Sequence, residues 1–173
     1  MIKYTVGDVT SPLKIPAIIC HVVNDVGRFG AGVAAAIANK YPAAQQDYFQ
    51  WFGHKPLKQG DIKFSNVTGL LDSDCLVLEA CALKGIWVCH MVSQVGTVSK
   101  ENPQPFKLES LDKCLASLAK TLESIKVIGR FTPSLHFPRI GMGLGGWQDW
   151  SAIEAVIEKH LASYEVFVYD LAD

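Results

Sequence analysis

Two glycine-rich stretches of this sequence could bind an anion through their backbone amides. The first, "NDVGRFGAGV", precedes a run of small residues that is typical of a helix. Glycines just ahead of a helix let N–H groups approach a ligand closely, and the helix N-terminus favours phosphate. The second, "GMGLGG", contains four glycines in six residues and could supply further amides. Two such loops favour a diphosphate site.

The residues alone also allow simpler interpretations of both stretches, in which neither binds a ligand. The first stretch does not have the spacing of a P-loop, and it is not a clean G-x-G-x-x-G motif. It could be only a tight turn between a strand and a helix. The second stretch could be a mobile surface loop. Their occurrence together is what makes a ligand site the better hypothesis.

Polar side chains near these loops are candidates for binding and proton transfer. Asp8 could accept a hydrogen bond from an exocyclic amine, or it could cap a turn. Asn24 could bind sugar hydroxyls, or it could form an Asx-turn. His21 is the best candidate for an acid/base residue and Asp25 is a second one. A structural histidine and a solvated loop carboxylate are the common alternatives.

Other kinds of catalytic centre lack their signatures in this sequence. There is no G-x-S-x-G nucleophile elbow. The five histidines do not form a metal cluster, so we expect neither a metal nor a cofactor. The five cysteines include no C-x-x-C pair, and most lie in or beside apolar runs. We therefore expect buried, reduced thiols rather than a disulfide, a metal site or a cysteine nucleophile.

Composition narrows the range of partners. The chain has 173 residues, of which 49% are hydrophobic and 19% charged, as in a compact globular protein. Its net charge of −1 gives no electrostatic basis for binding duplex nucleic acid or an anionic membrane. The N-terminus does not resemble a signal peptide, and no apolar run is long enough to span a bilayer. These features predict a cytoplasmic protein.

Strand and helix patterns alternate along the chain, with some strands consecutive. Strands are predicted for Ile2–Val6, Ala17–Val23, "DIKFSNV", "CLVLEACA", "GIWVCHMVS", "SLHFP" and "VFVYDL". Helices are predicted for Val33–Lys40, "AAQQDYFQWF", the leucine-rich stretch from Leu108 to Ile125 and the stretch from Ile153 to Leu161. This order predicts a mixed, mostly parallel sheet between helices. Both glycine stretches and Gly7-Asp8-Val9 follow strands, so they should converge at the carboxyl edge of the sheet.

Several spaced motifs together resemble the macrodomain family. These are "GDVT", "HVVNDVGRFGAGVAAAI" and "FPRIGMGLGGW", in the family's order, with "VFVYDL" at the end. The resemblance covers nearly the whole chain and implies a single macro domain over residues 1–173. It further implies a three-layer α/β/α sandwich that binds ADP-ribose or a derivative, including ADP-ribosylated protein.

The resemblance also implies the binding residues. Asp8, Val9 and Gly7 would line the adenine pocket, near Tyr169, and Asn24 would meet the distal ribose. The two loops would enclose the diphosphate and distal ribose with Arg28, Gly30, Ala31, Gly32, Val33, Ile140, Gly141, Met142, Gly143, Leu144 and Gly145. His21, Asn24 and Asp25 are the catalytic candidates.

Within the family, the sequence is similar to the branch holding terminal ADP-ribose glycohydrolases and yeast-type ADP-ribose 1″-phosphate phosphatases. The glycohydrolases' catalytic Lys would fall near Gln94 and their catalytic Asp at Gly145. A lysine-linked covalent route therefore lacks both parts. The resemblance favours hydrolysis of ADP-ribose 1″-phosphate to ADP-ribose and phosphate. The alternatives are a non-catalytic ADP-ribose reader and a hydrolase that removes ADP-ribose from protein or nucleic acid by another route.

Overall fold

The computed structural model describes residues 1–68, 85–129 and 131–171. Within these ranges the strands are β1 (Ile2–Val6), β2 (Ala17–Asn24), β3 (Ile62–Asn66), β4 (Ile86–Gln94), β5 (Ser134–Pro138) and β6 (Val166–Asp170). The helices are α1 (Gly32–Lys40), α2 (Pro42–His54), α3 (Leu108–Gly129) and α4 (Trp150–Leu161). The predicted strand "CLVLEACA" lies outside the described residues.

The described strands form one mixed sheet in the order β1-β6-β5-β2-β4-β3. All neighbours are parallel except β3, which runs antiparallel to β4. The turn signal between "DIKFSNV" and "CLVLEACA" predicts that these two strands pair, and the second strand lies outside the described residues. A bulge in the β2–β4 pairing places Asn24 opposite Gln94 at the carboxyl edge.

Two apolar cores lie on opposite faces of this sheet. Side chains alternate along β2, so Ile18 and Cys20 enter one core while Ile19 and Val23 enter the other. The first core is completed by α3 and α4, and the second by α1 and α2. A three-layer α/β/α sandwich is therefore confirmed. Burial of both faces explains why β2 and β4 are continuous apolar runs.

Local sequence signals account for the helices. The leucine-rich stripe of α3 is buried as its spacing predicted, with Leu111, Leu115 and Leu122 fully covered. Pro42 ends α1 and begins α2, where its missing N–H carries no penalty. The Asp149 carboxylate accepts a hydrogen bond from the Ala152 amide and caps α4. Across the described ranges, no helix combines the length and apolar character needed to cross a bilayer.

The described cysteines are buried and free, as the sequence predicted. Cys20 and Cys89 lie on adjacent strands, and Cys114 lies on α3. Burial raises the pKa of the Cys89 and Cys114 thiols, so both stay protonated and unreactive near neutral pH. Cys75 and Cys81 lie outside the described residues.

Candidate functional site

A cavity of about 640 Å³ opens at the carboxyl edge of the sheet, bordered by segments that follow β1, β2, β4, β5 and β6. The residues that the resemblance assigned to ligand binding all line this cavity: Gly7, Asp8, Val9, Asn24, Arg28, Gly30, Ala31, Gly32, Val33, Ile140, Gly141, Met142, Gly143, Leu144, Gly145 and Tyr169. The loops that follow separate strands therefore converge, as expected for an open α/β sheet.

The N-terminus of α1 presents uncapped amides to this cavity. Ala31 is the N-cap residue, but its side chain cannot accept a hydrogen bond, and the first turn contains no acidic residue. The amides of Gly30 and Ala31 have no acceptor in the described part of the chain. Gly32 has a φ of +55°, a conformation that glycine adopts without strain. These donors and the helix dipole favour an anion.

The segment Gly141–Gly146, here called the glycine loop, is held in shape by its own backbone. The Gly146 amide donates to the Gly143 carbonyl at 3.0 Å, and the Trp147 amide donates to the Gly141 carbonyl at 2.9 Å. The glycine loop therefore forms a hydrogen-bonded wall of the cavity.

Several amides of the glycine loop stay free of this internal bonding. Those of Gly141, Gly143, Leu144 and Gly145 have no acceptor in the described chain, and all four residues line the cavity. A Cβ added at Gly32 would lie 3.7 Å from Leu144 Cδ1. The glycine loop and the N-terminus of α1 thus lie close to each other at the cavity.

The glycine loop also excludes a side chain at Gly145, where the resemblance would place the glycohydrolase aspartate. A Cβ on Gly145 would lie 2.6 Å from the Gly141 carbonyl oxygen and 2.8 Å from Gly141 Cα. Both contacts are to backbone, so they could be relieved only by moving the loop. Gln94, in the place of the catalytic lysine, lines the cavity.

Asn24 folds the loop after β2 around its own side chain. Its Oδ1 accepts hydrogen bonds from the amides of Val26 and Arg28 at 3.1 and 3.0 Å, and from Tyr48 Oη at 3.1 Å. Its Nδ2 donates to the Arg28 carbonyl at 2.7 Å. Oδ1 is therefore saturated, and one amide hydrogen remains for a ligand. The Asx-type alternative describes most of this residue's bonding.

Asp8 combines the two alternatives that its sequence context left open. Its Oδ1 accepts the Thr10 amide at 2.8 Å and its Oδ2 accepts the Thr10 hydroxyl at 2.7 Å. The carboxylate is nevertheless exposed at the cavity. Each oxygen keeps a lone pair for a donor such as an exocyclic amine.

Tyr169 lines the cavity, and hydrogen bonds on its hydroxyl fix the side chain. The hydroxyl accepts the Leu13 amide at 3.0 Å and lies 2.8 Å from His136 Nδ1. His136 Nε2 lies 2.8 Å from Ser134 Oγ. Burial lowers the pKa of His136 to about 4, so it is neutral at neutral pH. The ring is thus fixed as a wall of the cavity.

His21 reaches the cavity wall but is only 1% exposed. Its Nε2 lies 2.8 Å from His90 Nδ1, and His90 Nε2 lies 2.9 Å from Ser65 Oγ. His21 Nδ1 is buried without a hydrogen-bond partner in the described chain. Burial lowers the pKa of His21 to about 3, so the ring is neutral and has no proton to spare as an acid.

Asp25 is turned away from the cavity. Its Oδ2 accepts Gln59 Nε2 at 3.0 Å and its Oδ1 accepts the Gly96 amide at 2.8 Å. Gln59 also donates to the Gln94 carbonyl at 2.9 Å. Asp25 thus ties the loop after β2 to the loop after β4. This geometry does not bring its carboxylate to the lining with His21 and Asn24.

Arg139 is a lining residue that the sequence did not single out. Its Nε and Nη2 donate to the two carboxylate oxygens of Asp170 at 2.6 and 2.9 Å. Its guanidinium carbon lies 4.7 Å from the ring centroids of both Tyr4 and Trp150. This clamp joins the start of the glycine loop to β1, β6 and α4.

Other lining residues also escaped the sequence prediction. They are apolar or small residues to which the sequence assigned no role: Val22, Val23, Ala34, Ala36, Thr97, Val98, Pro138 and Leu171. Thr97 and Val98 come from the polar loop after β4. The one sequence signal that this loop could line the cavity was its position directly after the predicted strand "GIWVCHMVS".

Comparison with known proteins identifies the family. Residues 20–156 match the Macro domain family. Proteins named ADP-ribose 1″-phosphate phosphatase from Lodderomyces elongisporus and Saccharomyces cerevisiae are each 26% identical to this chain; the alignments cover 98% of this chain and 99% and 98% of those relatives. A macrodomain protein from Streptomyces coelicolor superposes with a TM-score of 0.70 at 26% identity, covering 98% of this chain and 99% of that one. The chain belongs to the Macro domain family.

Proposed function

We propose that the chain binds ADP-ribose in this cavity and hydrolyses ADP-ribose 1″-phosphate to ADP-ribose and phosphate. The observation that carries the proposal is the pair of amide-rich segments, the N-terminus of α1 and the glycine loop, facing each other across one cavity. The names of the two yeast relatives, which align over nearly their full length, supply the substrate.

The two ends of the cavity suit the two ends of ADP-ribose. Asp8 and Tyr169 offer a carboxylate and an aromatic wall for adenine at the β1 and β6 end. Asn24 offers its remaining amide hydrogen to the distal ribose beside β2. Between them, amides can neutralise a diphosphate without a metal ion.

Catalysis in this site would rest on position and charge stabilisation. Hydrolysis joins a water oxygen to the terminal phosphorus and breaks the bond from phosphorus to the anomeric oxygen, which takes up a proton. Phosphoryl transfer needs in-line placement and stabilised oxygens more than a strong base. His21 has no proton-transfer role in this proposal, because its Nδ1 is buried and its lowered pKa keeps the ring neutral. Asp25 is not part of this proposal, because its carboxylate is bonded elsewhere.

A non-catalytic reader of ADP-ribose is the second candidate. Asp8 is the one acidic residue among the described lining residues, and it lies at the proposed adenine end. Gln94 and Gly145 replace the lysine and aspartate of the glycohydrolases. A site with these residues could hold the ligand without turning it over.

Calorimetry with ADP-ribose and a phosphate-release assay with ADP-ribose 1″-phosphate test the proposal. We expect the wild-type protein to bind ADP-ribose and to release phosphate equally with and without EDTA. Binding without phosphate release would favour the reader. Release of ADP-ribose from a modified protein or nucleic acid would favour the third alternative. Absence of ADP-ribose binding would contradict all three.

A matched pair of substitutions locates the binding site. A Cβ at Gly30 or at Gly53 meets no heavy atom within 4 Å, and neither glycine has a positive φ. Gly30→Glu puts a negative charge into the cavity and should abolish ADP-ribose binding by repelling the diphosphate. Gly53→Glu puts the same charge on the exposed face of α2 and should change the Kd by no more than about twofold.

A further inference from the structure

Arg28 is the unpaired cation of the cavity. Among the described lining residues, the cationic ones are Arg28 and Arg139. Arg139 is committed to Asp170 and to the Tyr4 and Trp150 rings. The Arg28 guanidinium is exposed and has no hydrogen-bond or ion-pair partner in the described chain. It is therefore free to bind an anion that enters the cavity.

The backbone of Arg28 is nevertheless fixed. Asn24 holds both of its peptide groups, accepting from the Arg28 amide at 3.0 Å and donating to the Arg28 carbonyl at 2.7 Å. The next residue, Phe29, is 4% exposed, and its carbonyl accepts Gln45 Nε2 at 2.8 Å. An anchored backbone with an uncommitted guanidinium reduces the ordering cost of binding a ligand.

Sheet order places Arg28 far from the proposed adenine end. Asp8 follows β1, whereas Arg28 follows β2, and the sheet order between them is β1-β6-β5-β2. Three strand spacings of about 4.8 Å separate the ends of β1 and β2 by roughly 14 Å. The glycine loop follows β5, between them. A ligand with adenine near Asp8 and its diphosphate at the glycine loop would therefore direct its terminal group toward Arg28.

We propose that Arg28 is the specificity-determining residue that recognises the terminal phosphate of ADP-ribose 1″-phosphate. This inference rests on the proposed function. A phosphate monoester presents a dianionic group that matches the planar donor fork of a guanidinium, whereas the anomeric hydroxyl of ADP-ribose does not. Arg28 would thus discriminate substrate from product, which keeps the diphosphate but loses the terminal charge.

The test compares two ligands across matched variants. Arg28→Gln removes the charge, Arg28→Lys keeps the charge without the planar fork, and Lys126→Gln removes a charge from the exposed face of α3. For each variant, calorimetry gives the Kd for ADP-ribose, and phosphate release gives KM and kcat for ADP-ribose 1″-phosphate. If the wild-type protein does not turn the ligand over, the Kd for ADP-ribose 1″-phosphate replaces KM.

We expect Arg28→Gln to raise KM for ADP-ribose 1″-phosphate by roughly 10- to 100-fold, the range of a lost charge-assisted hydrogen bond. Its Kd for ADP-ribose should stay within about twofold of wild type, because the diphosphate is held by amides. The KM of Arg28→Lys should lie between those of wild type and Arg28→Gln. The KM of Lys126→Gln should match that of wild type. Inorganic phosphate should inhibit the wild-type protein more strongly than Arg28→Gln.

Two outcomes would overturn the assignment. An equal loss of affinity for both ligands in Arg28→Gln would place the guanidinium at the diphosphate instead. An unchanged KM would remove Arg28 from recognition altogether. Failure of the proposed function looks different, since the wild-type protein would then bind neither ligand. Melting curves check that Arg28→Gln folds, as expected for an exposed side chain without partners.

Discussion

The two loops that enclose the cavity hold their shape by different means. The loop after β2 is fixed by side chains: Asn24 binds its backbone, Tyr48 Oη donates to Asn24, and Gln45 donates to the Phe29 carbonyl. The glycine loop is fixed by its own backbone bonds and by the lack of side chains. The first can therefore present a charged side chain, Arg28, whereas the second presents amides and the apolar side chains of Met142 and Leu144. The comparison shows how one cavity can combine a charged side chain, which can select between anions, with backbone amides, which can bind any phosphate.

The largest effect should come from adding one methyl group to the glycine loop. A Cβ on Gly146 would lie 2.2 Å from the Pro103 carbonyl oxygen, and its φ is +71°. Gly146→Ala should lower the free energy of unfolding by roughly 3–5 kcal/mol, because strain and a backbone clash add. Denaturant unfolding measures this loss, and ADP-ribose binding should weaken with it.

Gly143→Ala is the matched control for that substitution. A Cβ at Gly143 meets no heavy atom within 4 Å, and its φ is not positive. Its stability should stay within about 0.5 kcal/mol of wild type. Equal destabilisation by both alanines would mean that the Pro103 contact and the positive φ of Gly146 do not set the cost.

A smaller effect should come from removing the side chain that fixes the loop after β2. Asn24→Ala deletes four hydrogen bonds around a residue that is 7% exposed, and should cost about 2–3 kcal/mol of unfolding free energy. Tyr48→Phe removes only the donor to Asn24 and should cost about 1 kcal/mol. A Tyr48→Phe cost equal to that of Asn24→Ala would contradict the central role of the amide.

The smallest effect should be a loss of stability of the folded protein on acidification. Phe29 packs edge-on against His21, with ring centroids 5.4 Å apart, and burial lowers the pKa of His21 to about 3. Burial also lowers the pKa of His136 to about 4. Because these histidines are protonated more readily in the unfolded chain, stability falls as pH drops below about 6.5.

Between pH 7 and pH 6 we expect the free energy of unfolding to drop by roughly 1–2 kcal/mol. Urea titrations at the two pH values measure this drop. His136→Gln should reduce the slope, since it removes one buried titrating group. A stability that rises on acidification would show that these histidines gain protons on folding.

The strands and helices were predictable because burial imposes strong sequence patterns. The continuous apolar run of β2 indicated a strand buried on both faces. The 3-4 spacing of apolar residues in α3 indicated a helix buried on one face. The convergence of the loops followed from their position after strands. The pairing of β3 with β4 has no local sequence signal, since it depends on the arrangement of the whole sheet.

The site was predictable where local backbone chemistry defines it and not where distant side chains do. The glycine loop is visible in the sequence because its glycines are adjacent. The Arg139 clamp is not, because Tyr4 and Asp170 lie far from it along the chain. The position of Asp25 after β2 was predictable, but the direction of its carboxylate was not, because the distant residues Gln59 and Gly96 decide it.

Amide chemical shifts during an ADP-ribose titration test the central claim most directly. If backbone donors of both loops hold the diphosphate, the ¹⁵N–¹H signals of Gly30, Ala31, Gly143, Leu144 and Gly145 should all move downfield and saturate together. Shifts confined to one loop, or located away from the carboxyl edge of the sheet, would contradict the account.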